Sequence, residues 1–262
     1  MQTKTATRTS FSRLSSWLRC PRLHRYRYID LATEERVSGS MLLGIAFHEA
    51  AELHFRGIQR GEQFVSAEVY AAFDRALTDS AKYNEEVGCP VDYGKASLDE
   101  LIGKGHEMLA VFLAESPRDI EVLDIERSFE IEIEPGRVVE GVLDLVLRQG
   151  NRVLVVDLKT SAQAFGQDRL DFDSQATTYI VAARQLYRCA VDFEFWLVTR
   201  TKSPRFIRYP VVRDAADEAE LIEAIREVEA ATALGVFPRR RDWQCMGCEY
   251  RDRCNGERGK EA

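Results

Sequence analysis

The chain has 262 residues, 45% of them hydrophobic and 30% charged, enough to bury a core as one globular domain with a helical elaboration. A net charge of −7 excludes a general polyanion binder, so any nucleic-acid surface must be local. There is no apolar run of about 18 residues or more and no signal-peptide core, so neither a membrane span nor a secreted protein is expected. Cysteines at 20, 89, 189, 245, 248 and 254 are too few and too unevenly spaced for a disulfide scaffold, and a reducing cytoplasm is the expectation.

The first 29 residues hold seven Lys/Arg and no acid, as a mitochondrial presequence would, but they also carry a structured pattern. Thr9 to Leu18 starts with Ser10 or Ser12 as N-cap and repeats Phe11, Leu14, Trp17 and Leu18 at helical spacing. Cys20-Pro21 stops that helix. The following RLHRYRYI interleaves Arg22, Arg25 and Arg27 with tyrosines, which suits a phosphate backbone with stacked bases or a snorkelling surface segment.

Ser40 to Phe55 reads as a second helix with His48 on it. Glu52 stands where a zinc-protease helix needs its second histidine, which rejects that reading. Residues 61 to 117 are amphipathic and mostly helical, with a loop at 85 to 95, and form a helical insertion placed at about 56–118. Glu121 to Ile133 alternates as a strand carrying Glu126, and Pro135-Gly136 turns the chain.

Residues 140 to 161 read as two strands joined at Gly150-Asn151, with Asp144, Asp157 and Lys159 in an apolar setting. Asp157 and Lys159 are two apart and leave one face of a strand. Carboxylates that converge repel unless a cation lies between them, and a hard divalent ion with oxygen ligands, Mg²⁺ or Mn²⁺, is the usual solution. A nearby lysine would orient water or neutralise a phosphate. The plain alternative is an Asp-Lys pair on an exposed sheet face.

Asp173 to Tyr187 is a helix in which Gln175 and Tyr179 share a stripe. Phe193 to Val198 is a further strand, followed by a basic run, Arg200, Lys202, Arg205 and Arg208. Ala215 to Leu234 is a long helix ended by Gly235. In the tail, Arg239, Arg240 and Arg241 precede Cys245, Cys248 and Cys254 in a C-x2-C-x5-C pattern. Three thiolates are one short of the four that zinc or an iron-sulfur cluster takes, and Cys20 is the candidate fourth.

Taken together, Ser10, Leu14, Cys20 and Pro21, the helix histidine His48, G-x-x-D at Gly141 to Asp144, D-x-K at Asp157 to Lys159, Q-x-x-x-Y at Gln175 to Tyr179 and the cysteine tail resemble one family. It is the RecB-type exonuclease branch of the PD-(D/E)XK superfamily in its iron-sulfur form, shared by the AddB nuclease domain and CRISPR-associated RecB-like exonucleases.

The resemblance spans residues 10 to 256 and implies an α/β fold, a mixed central sheet flanked by helices. One nuclease domain would have its catalytic core at about 119–212 and cluster-binding segments at 10–30 and 235–256. It implies His48, Asp144, Asp157 and also Glu126 at a Mg²⁺ or Mn²⁺ site, Lys159 as the catalytic lysine, and Gln175 with Tyr179 supporting the site and contacting DNA. Arg22, Arg25 and Arg27 would bind DNA, and Cys20, Cys245, Cys248 and Cys254 would hold a structural 4Fe-4S cluster. The implied activity is a metal-dependent DNA exonuclease on single-stranded or frayed ends, with recombination, repair or CRISPR-adaptation proteins as partners. Two rivals remain at this point: a catalytically silent DNA-binding scaffold, and a zinc or iron-sulfur interaction protein with a merely structural hairpin.

Overall fold

The computed structural model describes residues 7–62 and 65–258. The chain opens with a strand absent from the sequence reading, β1 (Thr7–Ser10), whose last residue caps α1 (Phe11–Arg19) by accepting from the Arg13 amide. Pro21 at the first helical position starts α2 (Pro21–His24), which runs into a π-turn at Arg25–Ile29. β2 (Val37–Ser38) leads into α3 (Gly39–Arg60), capped by Ser38 and ended by Gly61 at φ 66°.

The insertion consists of α4 (Ser66–Glu86), β3 (Val91–Asp92) and α5 (Leu98–Glu115), the last started by a Ser97/Glu100 capping box. The long strands β4 (Glu121–Glu134), β5 (Arg137–Gln149) and β6 (Arg152–Ser161) follow. Then come α6 (Gln167–Phe172), α7 (Ser174–Tyr187), β7 (Ala190–Thr199), β8 (Phe206–Val211), α8 (Ala215–Ala233) and a short α9 (Arg251–Gly256).

The main sheet is mixed. β4 pairs antiparallel with β5, β5 with β6 and β7 with β8, whereas β6 and β7 are parallel with α7 as their crossover. β6 is central and buried from Val153 to Leu158, which accounts for its continuous apolar run. Helices cover both faces. Leu145, Leu154, Val156 and Trp196 pack under α3, α4 and α5, and Val146, Val153, Val155 and Phe193 pack under α1, α7 and α8. A third, small cluster of Leu23, Tyr26 and Tyr250 joins the N- and C-terminal segments around Cys20, Cys248 and Cys254. No helix among the described residues is long and apolar enough to cross a membrane.

α3 also carries His54, 2% exposed, whose Nε2 lies 3.4 Å from Ser116 Oγ. Burial first, and then the charge of Arg118, push its pKa down to about 4. Above about pH 6.5 the imidazole is neutral in both folded and unfolded chains; between 6.5 and 4 the unfolded chain binds a proton that the folded one refuses. Stability therefore falls across that window by up to about 3 kcal/mol. Urea unfolding at pH 7 and pH 4.5 checks this: His54→Gln is expected to lose about 2 kcal/mol less than wild type between the two.

Candidate active site

The site is built where β5 and β6 part. Leu145 opposite Val156 is their last ladder pair; beyond it β5 takes β1 as its neighbour at residues 137 to 140, while β6 continues beside β7 to Ser161. Asp144 and Asp157 are the next opposed positions. On the other edge of β5, Ile125 pairs with Leu145 and Arg127 with Leu143, which sets Glu126 across from Asp144. Three adjacent strands thus present Glu126, Asp144 and Asp157 in one row.

Such a row opposes folding. Like charges directly across a sheet repel, and Glu126 sits at φ 50°, a left-handed conformation costing a non-glycine residue on the order of 1 kcal/mol. Glu126 is exposed as a residue, but its carboxyl group turns inward. Its pKa rises to about 7, from burial first and then from the carboxylates of Asp144 and Glu52, with Arg56 opposing. Burial also raises Asp144, against the pull of Lys159 and the Leu158 amide, which donates to Asp144 Oδ2 at 2.8 Å. Asp157 is 1% exposed and raised by burial; its Oδ2 lies 2.6 Å from Lys159 Nζ, and apart from that contact neither oxygen accepts a hydrogen bond.

His48 comes from α3. Gly44, one turn earlier, lets the helix approach β6 so closely that a Cβ there would stand 3.3 Å from Thr160 Oγ1. His48 Nδ1 then lies 3.6 Å from Asp144 Oδ2. Burial first, then the charge of Lys159, lower its pKa, so the ring is neutral and can ligate a metal. Ligand atoms of His48, Glu126 and Asp144 all lie within 4.8 Å of one another. With the unsatisfied oxygens of Asp157 beside them, these residues fit a hard divalent cation.

Gln175 and Tyr179 form the floor on α7. Gln175 Nε2 donates to the Tyr179 hydroxyl at 3.0 Å, and the phenol's pKa rises through burial and the nearby carboxylates of Asp157, Asp144 and Glu126. Tyr179 is 8% exposed, edge-on to Phe129 and Phe193, so it supports the site from below. Phe129 also explains Gly141, its cross-strand partner: a Cβ there would stand 2.6 Å from the ring. The expected ligand Asp157 belongs to the row but lies outside the three-residue group, held instead by Lys159.

The four cysteines meet away from this cleft. Cys20, Cys245, Cys248 and Cys254 line one cavity of about 40 Å³ together with Arg239, Arg240, Arg241 and Arg251. Around it the chain ends are tied by Arg19 Nε donating to Gln244 Oε1 at 3.1 Å and by the Glu35 carboxylate accepting from the Asp252 and Arg253 amides.

The arginines expected to meet DNA are engaged within the protein. Arg22 donates to the Phe237 carbonyl and pairs with Glu257 at 3.6 Å, Arg25 pairs with Asp30 at 3.3 Å, and Arg27 pairs with Glu34 and Glu249. Glu257 and Glu249 come from the C-terminal segment, whereas Asp30 and Glu34 are local partners.

In EDTA, Glu126→Gln is expected to raise the melting temperature by roughly 1–3 °C by relieving the cross-strand repulsion. It should also abolish most of the stabilisation that Mn²⁺ gives wild type; differential scanning fluorimetry reads both.

The match to a family model, PD-(D/E)XK nuclease superfamily, runs over residues 8–255. No curated protein matches. Among solved structures, one of a proposed exonuclease from Eubacterium rectale is 20% identical, covers 89% of this chain and 91% of its own, and has a TM-score of 0.44. Another, of SSO0001, is 16% identical and covers 94% and 93%, with a TM-score of 0.38. With the family model spanning the carboxylate row, the D-x-K strand and the cysteine tail alike, this chain belongs to the PD-(D/E)XK nuclease superfamily.

Proposed function

We propose that this protein is a divalent-metal-dependent DNA exonuclease acting on single-stranded or frayed ends, with a 4Fe-4S cluster joining its terminal segments. The observation that carries the catalytic reading is the row Glu126, Asp144 and Asp157 at the parting of β5 and β6, with Lys159 on the face of Asp157. His48, Glu126 and Asp144 would hold the metal, with Asp157 alongside. A bound Mg²⁺ or Mn²⁺ supplies Lewis-acid polarisation of the phosphodiester and a more acidic water.

The chain's own residues do the rest. The Leu158 amide fixes the rotamer of Asp144, and Asp157 aims Lys159 Nζ, which is 24% exposed. From there the ammonium donates to a water approaching the phosphorus or to a non-bridging oxygen as its charge grows. Tyr179, bonded by Gln175, stands near Asp157 as a neutral polar group and adds no charge.

Support for the cluster comes from the donor set. Cys20, Cys245, Cys248 and Cys254 line one cavity, a set of four sulfurs that an iron-sulfur centre takes as readily as zinc does, and the surrounding arginines would offset the charge of four thiolates. Arg240 and Arg241, which bond the Leu18 carbonyl and the Asn255 side chain, extend a basic surface for DNA. The family resemblance associates such a protein with recombination, repair or CRISPR adaptation.

End-labelled single- and double-stranded DNA incubated with anaerobically purified protein tests the activity. Products are expected with Mg²⁺ or Mn²⁺ and not with EDTA, and Lys159→Ala should reduce the rate by about 10² or more with its melting temperature kept. No metal-dependent cleavage by folded wild type overturns the reading. The cluster has its own test: brown protein containing iron and sulfide, colourless in Cys248→Ala, is expected, whereas stoichiometric zinc in wild type overturns it.

A further inference from the structure

α3 turns one stripe toward the cleft, and the stripe is longer than the candidate metal site needs. Met41, Ile45, His48 and Glu52 follow one another at helical spacing, which stacks them along one face. Two contacts fix where that face looks. His48 Nδ1 lies 3.6 Å from Asp144 Oδ2, and the Glu52 carboxylate is close enough to Glu126 to help raise its pKa. Nearer the start of the helix, Gly44, the residue before Ile45, lies against Thr160, the residue after Lys159. Ile45 is bracketed by these contacts. It is about 4.5 Å of helical rise from His48, and Met41 is about 6 Å further along the axis.

Both apolar side chains are left in water. Met41 is 46% exposed and Ile45 48%, although Leu42, Leu43, Ala46 and Phe47 of the same helix are buried in the core. Aliphatic residues scattered singly over a surface are ordinary; these two are successive members of the stripe that carries His48. Met41 also lines a cavity of about 250 Å³, which leaves room beside it for a further group.

The chemistry of a nucleic-acid strand decides which part of it can cover them. From Ser40 to Phe55 the helix has no lysine or arginine, and its acidic residues are Glu49 and Glu52, so it offers a phosphate nothing. An uncharged aliphatic ridge takes the faces and edges of bases instead. In a duplex those faces are stacked on one another, whereas an unpaired strand leaves them free.

We propose that Met41 and Ile45 form a base-contacting ridge that receives the unpaired nucleotides beside the scissile phosphate. α3 thereby selects a single strand, while the carboxylate row and Lys159 take its backbone. This rests on the nuclease reading above and supplies it with a strand-selecting element.

Fluorescence anisotropy of the full chain in EDTA tests the ridge without cleavage. The probes are a labelled single-stranded oligonucleotide, a blunt duplex and a base-free strand of abasic residues, all of one length. Met41→Ala with Ile45→Ala places the best helix former at both exposed positions, so the melting temperature should stay near that of wild type. The double change is expected to weaken single-strand binding about tenfold. It should keep the salt slope, because no phosphate contact is lost, and bind the duplex and the base-free strand as wild type does. Met41→Leu with Ile45→Leu, which keeps the apolar surface, should retain the affinity. Double-alanine protein that binds the single strand as wild type does overturns the ridge, and so does an equal loss on the base-free strand. A wild-type dimer that the alanine changes dissociate, with DNA binding unchanged, overturns it in favour of a second copy of this chain. Wild type that prefers the normal strand to the base-free one but never cuts with metal overturns the nuclease reading and leaves the ridge standing. Wild type that cuts yet binds both strands equally overturns the ridge alone.

Discussion

Three carboxylates in one row across β4, β5 and β6 are the constraint on which the structure depends. In a metal-free chain they repel, and the protein contains that repulsion by raising carboxyl pKa values, by a 2.8 Å bond from the Leu158 amide and by pressing Lys159 against Asp157. A bound divalent ion converts the repulsion into coordination, so stability withheld in the folded chain is returned on binding.

The surrounding fold holds that row fixed. β5 changes partner from β6 to β1 at the point where Asp144 and Asp157 face each other, which opens a fork in an otherwise continuous sheet. α3 closes one side of the fork because Gly44 allows it near Thr160, and α7 closes the other through Tyr179 and its aromatic neighbours. Two apolar cores, one on each face of the sheet, prevent the strands from sliding to relieve the charge. The third cluster does a separate job, tying Cys20 to a tail more than 220 residues away.

Arginine is used in two ways in this molecule. Arg22 and Arg27 reach Glu257 and Glu249 and help hold the termini together, and Arg25 pairs locally with Asp30, while Arg200 has no carboxylate partner among the described residues. Sequence gives the two kinds the same appearance, since both lie in basic runs beside aromatic or β-branched residues. Only the folded structure shows which of them has a carboxylate partner.

Much of the site was legible because its signals are local. The Gly150 turn, the buried run from Val153 to Leu158 and the two-residue spacing of Asp157 and Lys159 fix a hairpin and one shared face, and the four-residue spacing of Gln175 and Tyr179 fixes a helical stripe. Tertiary structure decided what depends on pairing between distant segments. β1 is four residues long and polar at its exposed end, and β8 is broken by Arg208 and Pro210, so neither shows a strand pattern until β5 and β7 supply the partners. The opposition of Glu126 to Asp144 is a matter of strand register, and the closeness of His48 to both depends on how α3 crosses the sheet. A sequence determines the period of its own side chains; which residues those side chains face is determined by packing, through contacts that no local pattern encodes.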